Sequence, residues 1–212
     1  MDKIIGKQID LSKALLGTGI VGIGLIGLLY APAIISIFSL AISGFAALWV
    51  VYGKDTTLGI FSKPKSPAKY ILKYFLLNIL VSFTVSIILQ YVLKWNLSGN
   101  PVSEGFQLLL LFVIPIMLLG EELFSIYFLS IFSSKFSLPV ASLLSAIIFG
   151  LIHYSTYNNG NILHTLIHIL LIQGVARLLF NQAAIKSNSI FTSWGVHILF
   201  DFFAFILAYF LG

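Results

Sequence analysis

The chain has 212 residues, of which 59% are hydrophobic and 9% charged, and this composition excludes an ordinary soluble globular protein. It contains no cysteine, so disulfides, thiol nucleophiles and thiolate metal sites are excluded as well. The formal net charge of +5 would suit nucleic-acid binding only if the basic residues formed one patch, and they lie instead between long apolar segments. We therefore predict an integral membrane protein.

Apolar segments of about the 20 residues that a spanning helix needs recur along the chain. Seven are predicted to cross the membrane, at about residues 14–33, 34–52, 70–93, 106–132, 138–154, 161–181 and 189–211. No segment outside them exceeds about 20 residues, which is too short for a second folded unit. The predicted fold class is all-α, a polytopic transmembrane helix bundle of about seven spans, with residues 1–212 as a single membrane domain.

The first predicted helix follows a basic start and is rich in glycine. Its small residues permit close packing against another helix, and they are Gly17, Gly19, Gly22, Gly24 and Gly27. The basic start, the apolar run and the sequence "APA" at residues 31–33 are also typical of a signal peptide. Because the apolar run is long, we interpret it as a retained helix.

The basic residues indicate how the predicted bundle is oriented. With the amino terminus inside and seven crossings, one side receives Lys54, Lys63, Lys65, Lys69, Lys73, Lys135, Arg177 and Lys186. Only Lys94 lies on the opposite side, so the distribution follows the positive-inside pattern. We predict a multi-pass protein of the cell membrane with a cytoplasmic amino terminus, and membrane lipid rather than nucleic acid as the partner of its lysines. Abundant lysine, isoleucine, phenylalanine and asparagine with little arginine are typical of an AT-rich bacterial genome, so the membrane is expected to be a bacterial plasma membrane.

The fourth predicted helix carries two adjacent carboxylates, Glu121 and Glu122, in the sequence "LLGEELFSIYFL". Pro115 and Gly120 precede them and loosen the helix, because proline removes a backbone donor. Irregular backbone and charge at membrane depth are tolerated only where they face protein or a water-filled cavity. We therefore predict that this helix turns the two glutamates towards the interior of the bundle.

Ionisable residues within the predicted spans form a set that includes all four histidines of the chain. The set is Glu121, Glu122, His153, His164, His168, His197 and Asp201. Intramembrane ionisable residues usually face the bundle interior and mark a functional path or site. The alternative is a structural polar network that ties the helices together.

The spacing of these residues predicts which of them meet. His197 and Asp201 are four residues apart and share one face of the last helix, as His153 does with Phe149 on the fifth. A rise of about 1.5 Å per residue places Glu121 and His197 at similar depths, roughly 10 to 15 Å from the inner boundary. We therefore predict that Glu121, His153, His197 and Asp201 lie in one layer.

Three motifs in this order resemble a known family of membrane proteins. They are Glu121-Glu122, "FGLIH" at Phe149–His153, and "HILFD" at His197–Asp201. Together they resemble the CAAX-protease and bacteriocin-processing family, also called CPBP or Abi, over about residues 106–205. Family members commonly carry an arginine four residues after the second glutamate, where this chain has Ile126. Glu122 then either takes another donor, such as His164 or His168, or remains protonated in its apolar setting.

The resemblance implies a glutamate-dependent intramembrane protease. Glu121 would act as general base and then as general acid, and His153 would hold the attacking water. His197 and Asp201 would line the oxyanion side. Because an ionised Asp201 would repel an oxyanion, this residue is either a neutral acid or a partner that orients His197 and donates nothing.

The resemblance also implies chemistry without a metal or another cofactor. Glu121, His153 and His197 could nevertheless bind zinc with one position open for water, although the compact His-Glu-x-x-His signature is absent. The five residues predicted for the site are Glu121, Glu122, His153, His197 and Asp201.

We predict a membrane-embedded endopeptidase that cleaves a membrane-associated peptide or protein. Eukaryotic members of the resembled family remove the last three residues of prenylated CAAX proteins, whereas bacterial members imply bacteriocin processing and a substrate without a prenyl group. The alternative is a catalytically inactive scaffold or bacteriocin self-immunity protein that binds a membrane-protein partner, and Ile126 favours it. A proton-coupled transporter fits poorly because the sequence has no inverted repeat.

Overall fold

The computed structural model describes residues 1–99 and 109–211, and within these ranges the chain forms helices and no strand. The helices are α1 (Leu11–Tyr30), α2 (Ala33–Tyr52), α3 (Lys54–Gly59), α4 (Pro67–Ile87), α5 (Leu110–Ser133), α6 (Leu138–Ile152), α7 (Tyr154–Tyr157), α8 (Ile162–Ile169), α9 (Val175–Ser187) and α10 (Ile190–Leu211). A π-helical turn at Ile88–Val92 extends α4, and another at Leu170–Gly174 joins α8 to α9.

Six helical stretches of the described residues are long and apolar enough to cross a membrane, and the predicted all-α bundle is confirmed. They are Leu11–Tyr30, Ala33–Tyr52, Pro67–Val92, Leu110–Ser133, Ile162–Ser187 and Ile190–Leu207. The fifth predicted span differs, because α6 has 15 residues and is about 22 Å long at a rise of about 1.5 Å per residue. The predicted start of the fourth helix at residue 106 lies outside the described residues.

Hydrogen bonds between residues at the helix ends and in the loops show which helix ends lie together. At one end, the Gly6 amide donates to Ser133 Oγ over 3.0 Å and the Lys65 amide donates to the Ser187 carbonyl over 2.8 Å. We call this the amino-terminal end. At the opposite end, here called the distal end, Ser98 Oγ donates to the Asn158 carbonyl. Short α6 and the turn after it therefore still lead from one end of the bundle to the other.

The fourth predicted helix is the central helix of the bundle. Half of the apolar window of α5 is buried inside the protein, whereas the corresponding share of α4 is 11%. Helix α5 packs against α2 on one side and against α6 and α10 on others. This position explains how two adjacent glutamates can sit at membrane depth, because most faces of α5 contact protein.

Three of the five glycines in α1 lie at helix contacts, as predicted. A Cβ atom at Gly17, Gly24 or Gly27 would come closer than 3.0 Å to a side chain of another helix. Gly19 and Gly22 have nothing within 4 Å of that position, so they are not needed for packing. Close approach of α1 and α2 therefore depends on a subset of the glycine pattern.

Replacing Gly120 by alanine is expected to destabilise the protein by about 1–3 kcal/mol. The new Cβ atom would lie 2.8 Å from the Ala41 backbone nitrogen, and that backbone cannot rotate away as a side chain could. The control is Gly22→Ala, which meets open space and is expected to be neutral or to stabilise by up to about 1 kcal/mol. Thermal unfolding of both purified variants measures the difference. Equal unfolding temperatures would contradict close α2–α5 packing at Gly120.

Candidate active site

The two adjacent glutamates of α5, Glu121 and Glu122, lie in different surroundings. Successive residues of an α-helix are rotated by about 100°, so neighbouring side chains cannot point the same way. The Glu122 side chain is 0% exposed and lies in the packed interior. The Glu121 side chain is 16% exposed and faces a cavity.

Glu122 forms an ion pair with Arg177 of α9, the only arginine of the chain. Arg177 Nη1 donates to Glu122 Oε1 over 2.7 Å and Nη2 donates to Oε2 over 3.0 Å, which is a bidentate geometry. Glu122 therefore takes another donor, as one of the two expectations held, but that donor is Arg177 and not His164 or His168. His164 instead stacks on Trp95 with ring centroids 3.9 Å apart, and His168 packs edge-on against Tyr157.

Arg177 is itself held from several sides. Its Nε donates to Asn181 Oδ1 over 3.1 Å, and Asn181 Nδ2 donates to Ser142 Oγ over 3.2 Å. The rings of Phe149 and Phe180 lie 5.4 and 5.1 Å from the guanidinium carbon, within the range of cation–π attraction. Such a support fixes the guanidinium before it meets the carboxylate.

The prediction that Arg177 is a surface charge near the inner boundary is wrong. The helix that was expected to end near residue 181 continues to Ser187, so Arg177 lies well inside it and is 0% exposed. The signal that could have revealed Arg177 is its rarity, because all other basic residues of the chain are lysines. A bidentate contact with a buried carboxylate requires arginine.

His197 connects the buried ion pair to the cavity. Its Nδ1 lies 3.0 Å from Glu122 Oε1, and because the ion-paired carboxylate can only accept, Nδ1 carries the hydrogen. Its Nε2 faces Glu121 Oε2 at 3.8 Å and Asp201 Oδ1 at 3.9 Å. The carboxylate that orients His197 is therefore Glu122, which corrects the second of the two alternatives expected for Asp201.

His153 ends α6 and points its second ring nitrogen at Glu121. Its Nδ1 donates to the Phe149 carbonyl over 2.7 Å, which leaves Nε2 to face Glu121 Oε2 at 4.0 Å. The rings of Phe149 and His153 also pack together, with centroids 4.7 Å apart. The spacing Phe-x-x-x-His thus has a physical basis, since the phenylalanine supplies both the carbonyl and the ring that fix the histidine.

The predicted layer is present as a geometric arrangement. Glu121 Oε2 lies within 4.0 Å of Nε2 of both His153 and His197, too far for direct hydrogen bonds and suited to one bridging water. Asp201 joins them from one turn further along α10, with 26% of its side chain exposed. No group of three His, Cys, Asp or Glu among the described residues is arranged to hold a metal ion.

A cavity of about 540 Å³ gives access to this layer. Glu121, His153, His197 and Asp201 line it, whereas Glu122 and Arg177 lie behind it without contact to its space. Helix α4 also lines the cavity, through Ser82 and Ser86. The arrangement can place a water and a carbonyl group between a carboxylate and two imidazoles.

Comparison with known proteins finds a family model that matches the second half of the chain. It is described as type II CAAX prenyl endopeptidase Rce1-like, and it matches residues 103–203. The matched region contains the three motifs that carry the resemblance and also Arg177. No curated protein and no solved structure matches the chain significantly.

Proposed function

Since residues 103–203 make this multi-pass membrane protein a member of the Rce1-like CAAX prenyl endopeptidase family, we propose that it is an endopeptidase acting through a Glu121-activated water. Its substrate would be a membrane-associated peptide or protein. The observation that carries the proposal is the position of the Glu121 carboxylate, which faces a cavity within 4.0 Å of two histidine Nε2 atoms.

The first step is attack of water on the scissile carbonyl carbon. Glu121 takes a proton from the water as its oxygen bonds to that carbon, and the carbonyl oxygen becomes an oxyanion. His153 Nε2 accepts the second hydrogen of the water and so holds it in place, because Nδ1 is committed to the Phe149 carbonyl. Glu121 then gives its proton to the leaving nitrogen, the C–N bond breaks, and an amine and a carboxyl group are released.

The oxyanion would be stabilised by His197 and Asp201. With Nδ1–H bonded to Glu122, a protonated His197 presents Nε2–H to the cavity, and the Glu122–Arg177 pair fixes the orientation of the ring. Because Glu122 already orients His197, Asp201 is free for the other expected role, donation by a neutral acid.

Replacing Asp201 by asparagine is expected to keep turnover within about tenfold of wild type, because an amide can also donate to the oxyanion. Alanine at the same position should lower turnover by roughly 10²–10³-fold. In the wild type, ionisation of Asp201 would lower turnover at high pH. An asparagine cannot ionise, so the variant should not show this loss. Initial rates measured across the pH range test this. Equal rates for the alanine variant and wild type would remove Asp201 from the site.

The alternative of a catalytically inactive scaffold was favoured by Ile126, which stands where family members carry an arginine. Ile126 leaves no arginine on α5, but Arg177 brings the guanidinium to Glu122 from another helix. Bacteriocin processing, self-immunity, a non-prenylated substrate and a membrane-protein partner stay predictions. We also propose a bacterial plasma membrane with the lysine-rich amino-terminal end in the cytoplasm, where lysines such as Lys65 and Lys135 would meet lipid headgroups.

The experiment uses the full chain in liposomes with two internally quenched peptides. One ends in a farnesylated CAAX sequence, and the other has the same residues without the prenyl group. Cleavage of either at one bond, with one ¹⁸O incorporated into the new carboxyl group from labelled water, is the expected result. Folded protein that cleaves neither peptide would overturn the proposal in favour of a scaffold.

A chelator separates the two ways of activating the water. We expect 1,10-phenanthroline to leave turnover unchanged, because Glu121 itself is the base in the proposed mechanism. Turnover that is lost with the chelator and restored by zinc would instead make Glu121, His153 and His197 metal ligands.

A further inference from the structure

Helix α4 carries polar residues at every fourth position on one face. Asn78, Ser82, Ser86 and Gln90 form this polar column, and helical geometry places them above one another. Ser82, Ser86 and Gln90 line the same cavity as Glu121. Helix α4 is the least buried of the long helices, so its polar side chains mark the face that it turns inward.

Part of this column has hydrogen-bonding capacity that the described residues do not use. Ser82 Oγ and both side-chain amide atoms of Asn78 are shielded from solvent and have no hydrogen-bond partner there. Asn78 as a whole is 0% exposed. Thr84, on another face of α4, differs because its hydroxyl donates to the Leu80 carbonyl of its own helix. Buried polar groups are normally paired, so Ser82, which also lines the cavity, is suited to a partner that enters there.

The column begins at the level of the candidate site and leads away from it. Asn78 and Asp201 each lie eleven residues after the start of their helix, and both helices start at the amino-terminal end. At about 1.5 Å per residue, both are roughly 16 Å from that end. Ser82, Ser86 and Gln90 then continue in steps of about 6 Å towards the distal end, where Ser98 also lines the cavity.

Apolar side chains line the cavity beside the polar column. Phe200, Phe203 and Leu207 of α10 are among them, so the cavity offers hydrogen-bonding groups from α4 and apolar side chains from α10. An extended peptide presents the same division, since its backbone groups on one edge repeat every two residues, or about 6.6 Å. This spacing is close to the step of about 6 Å along the column.

We propose that the cavity binds its substrate as an extended peptide that enters from the distal end. Backbone groups of the peptide hydrogen-bond to Ser82, Ser86 and Gln90, its apolar side chains pack on α10, and the scissile bond lies at Glu121. The inference rests on the proposed function, because it assigns the substrate of the same site. Backbone groups drawn into a membrane must find protein partners, and the column supplies neutral donors and acceptors.

The test measures peptide binding in a Glu121→Gln background, so that binding is read without cleavage. The probe is a dansyl-labelled nonapeptide ending in a farnesylated CAAX sequence, and a second probe carries N-methyl groups on alternate backbone amides. Adding Ser82→Ala, Ser86→Ala and Gln90→Met is expected to weaken binding of the first probe roughly 10–100-fold, as loss of several hydrogen bonds would. Thr84→Val is the matched control on the same helix and is expected to change nothing.

N-methylation separates backbone recognition from binding of the prenyl chain. The methylated probe should bind the Glu121→Gln protein weakly, and the three further substitutions should weaken it little more. Unchanged binding of the first probe after loss of the column would overturn the inference, even if the wild-type protein cleaves peptides. Column-dependent binding by a wild-type protein that cleaves nothing would support the inference and overturn the proposed function.

Discussion

Replacing Glu121 by glutamine is expected to lower turnover of a cleaved peptide by about 10³-fold or more, with peptide binding retained. Glutamine has nearly the same shape but cannot take a proton from water, and general base catalysis contributes roughly 10²–10⁴-fold. The Glu121 carboxylate lies 3.8 and 4.0 Å from its histidine neighbours, so its replacement breaks no short contact there. Stability should therefore stay close to wild type.

Two other replacements of a carboxylate by an amide serve as controls. Asp55→Asn removes a carboxylate from the exposed surface of α3 and should leave turnover unchanged. Glu122→Gln makes the identical change one residue away and should destabilise the protein, because Arg177 would be left buried without its counter-charge. Measured turnover and unfolding temperature of the three variants distinguish these effects. A Glu121→Gln protein that cleaves at the wild-type rate would exclude Glu121 as the base.

Replacing Arg177 by methionine is expected to lower the free energy of unfolding by about 3–5 kcal/mol. The substitution leaves the Glu122 carboxylate in a fully buried position without its bidentate donor. Activity should fall as well, because Glu122 is the group that fixes Nδ1 of His197. Arg177→Lys should be intermediate, since one ammonium group cannot reproduce the two parallel hydrogen bonds.

The double variant Arg177→Met with Glu122→Gln tests whether the ion pair is the cause. Removing both charges leaves no unpaired ion, so much of the lost stability should return, although turnover stays low. Chemical denaturation of the purified proteins gives the coupling between the two positions. If the destabilisation of the double variant equals the sum of the two single variants, Arg177 acts through packing alone.

Ile126 stands where family members carry an arginine, and in this chain the guanidinium that pairs with Glu122 comes from another helix. Ile126 is completely buried in the apolar core around α5, so an arginine would not be accommodated there without rearrangement. The guanidinium comes instead from α9, between the rings of Phe149 and Phe180. Spacing along one helix could not reveal a donor that lies 55 residues away.

The amino-acid sequence by itself determined the helices and the faces of the candidate site. Apolar runs are long because a membrane offers the backbone no partners, and they therefore identify helices directly. Four-residue spacing determined that His197 shares a face with Asp201, and Phe149 with His153, because 3.6 residues complete a turn. The family match agrees with the three motifs that these spacings define.

Only the tertiary structure decided which faces meet and which contacts they make. Glu122 rather than Asp201 orients His197, and Arg177 rather than a histidine neutralises Glu122, because packing sets the rotation of each helix. Hydropathy also could not predict the short α6 or the continuation of α9 to Ser187, since a turn at His153 ends α6 and a left-handed Asn188 ends α9. Helical periodicity tells which residues share a face, whereas the complementary shapes of neighbouring helices determine what that face contacts.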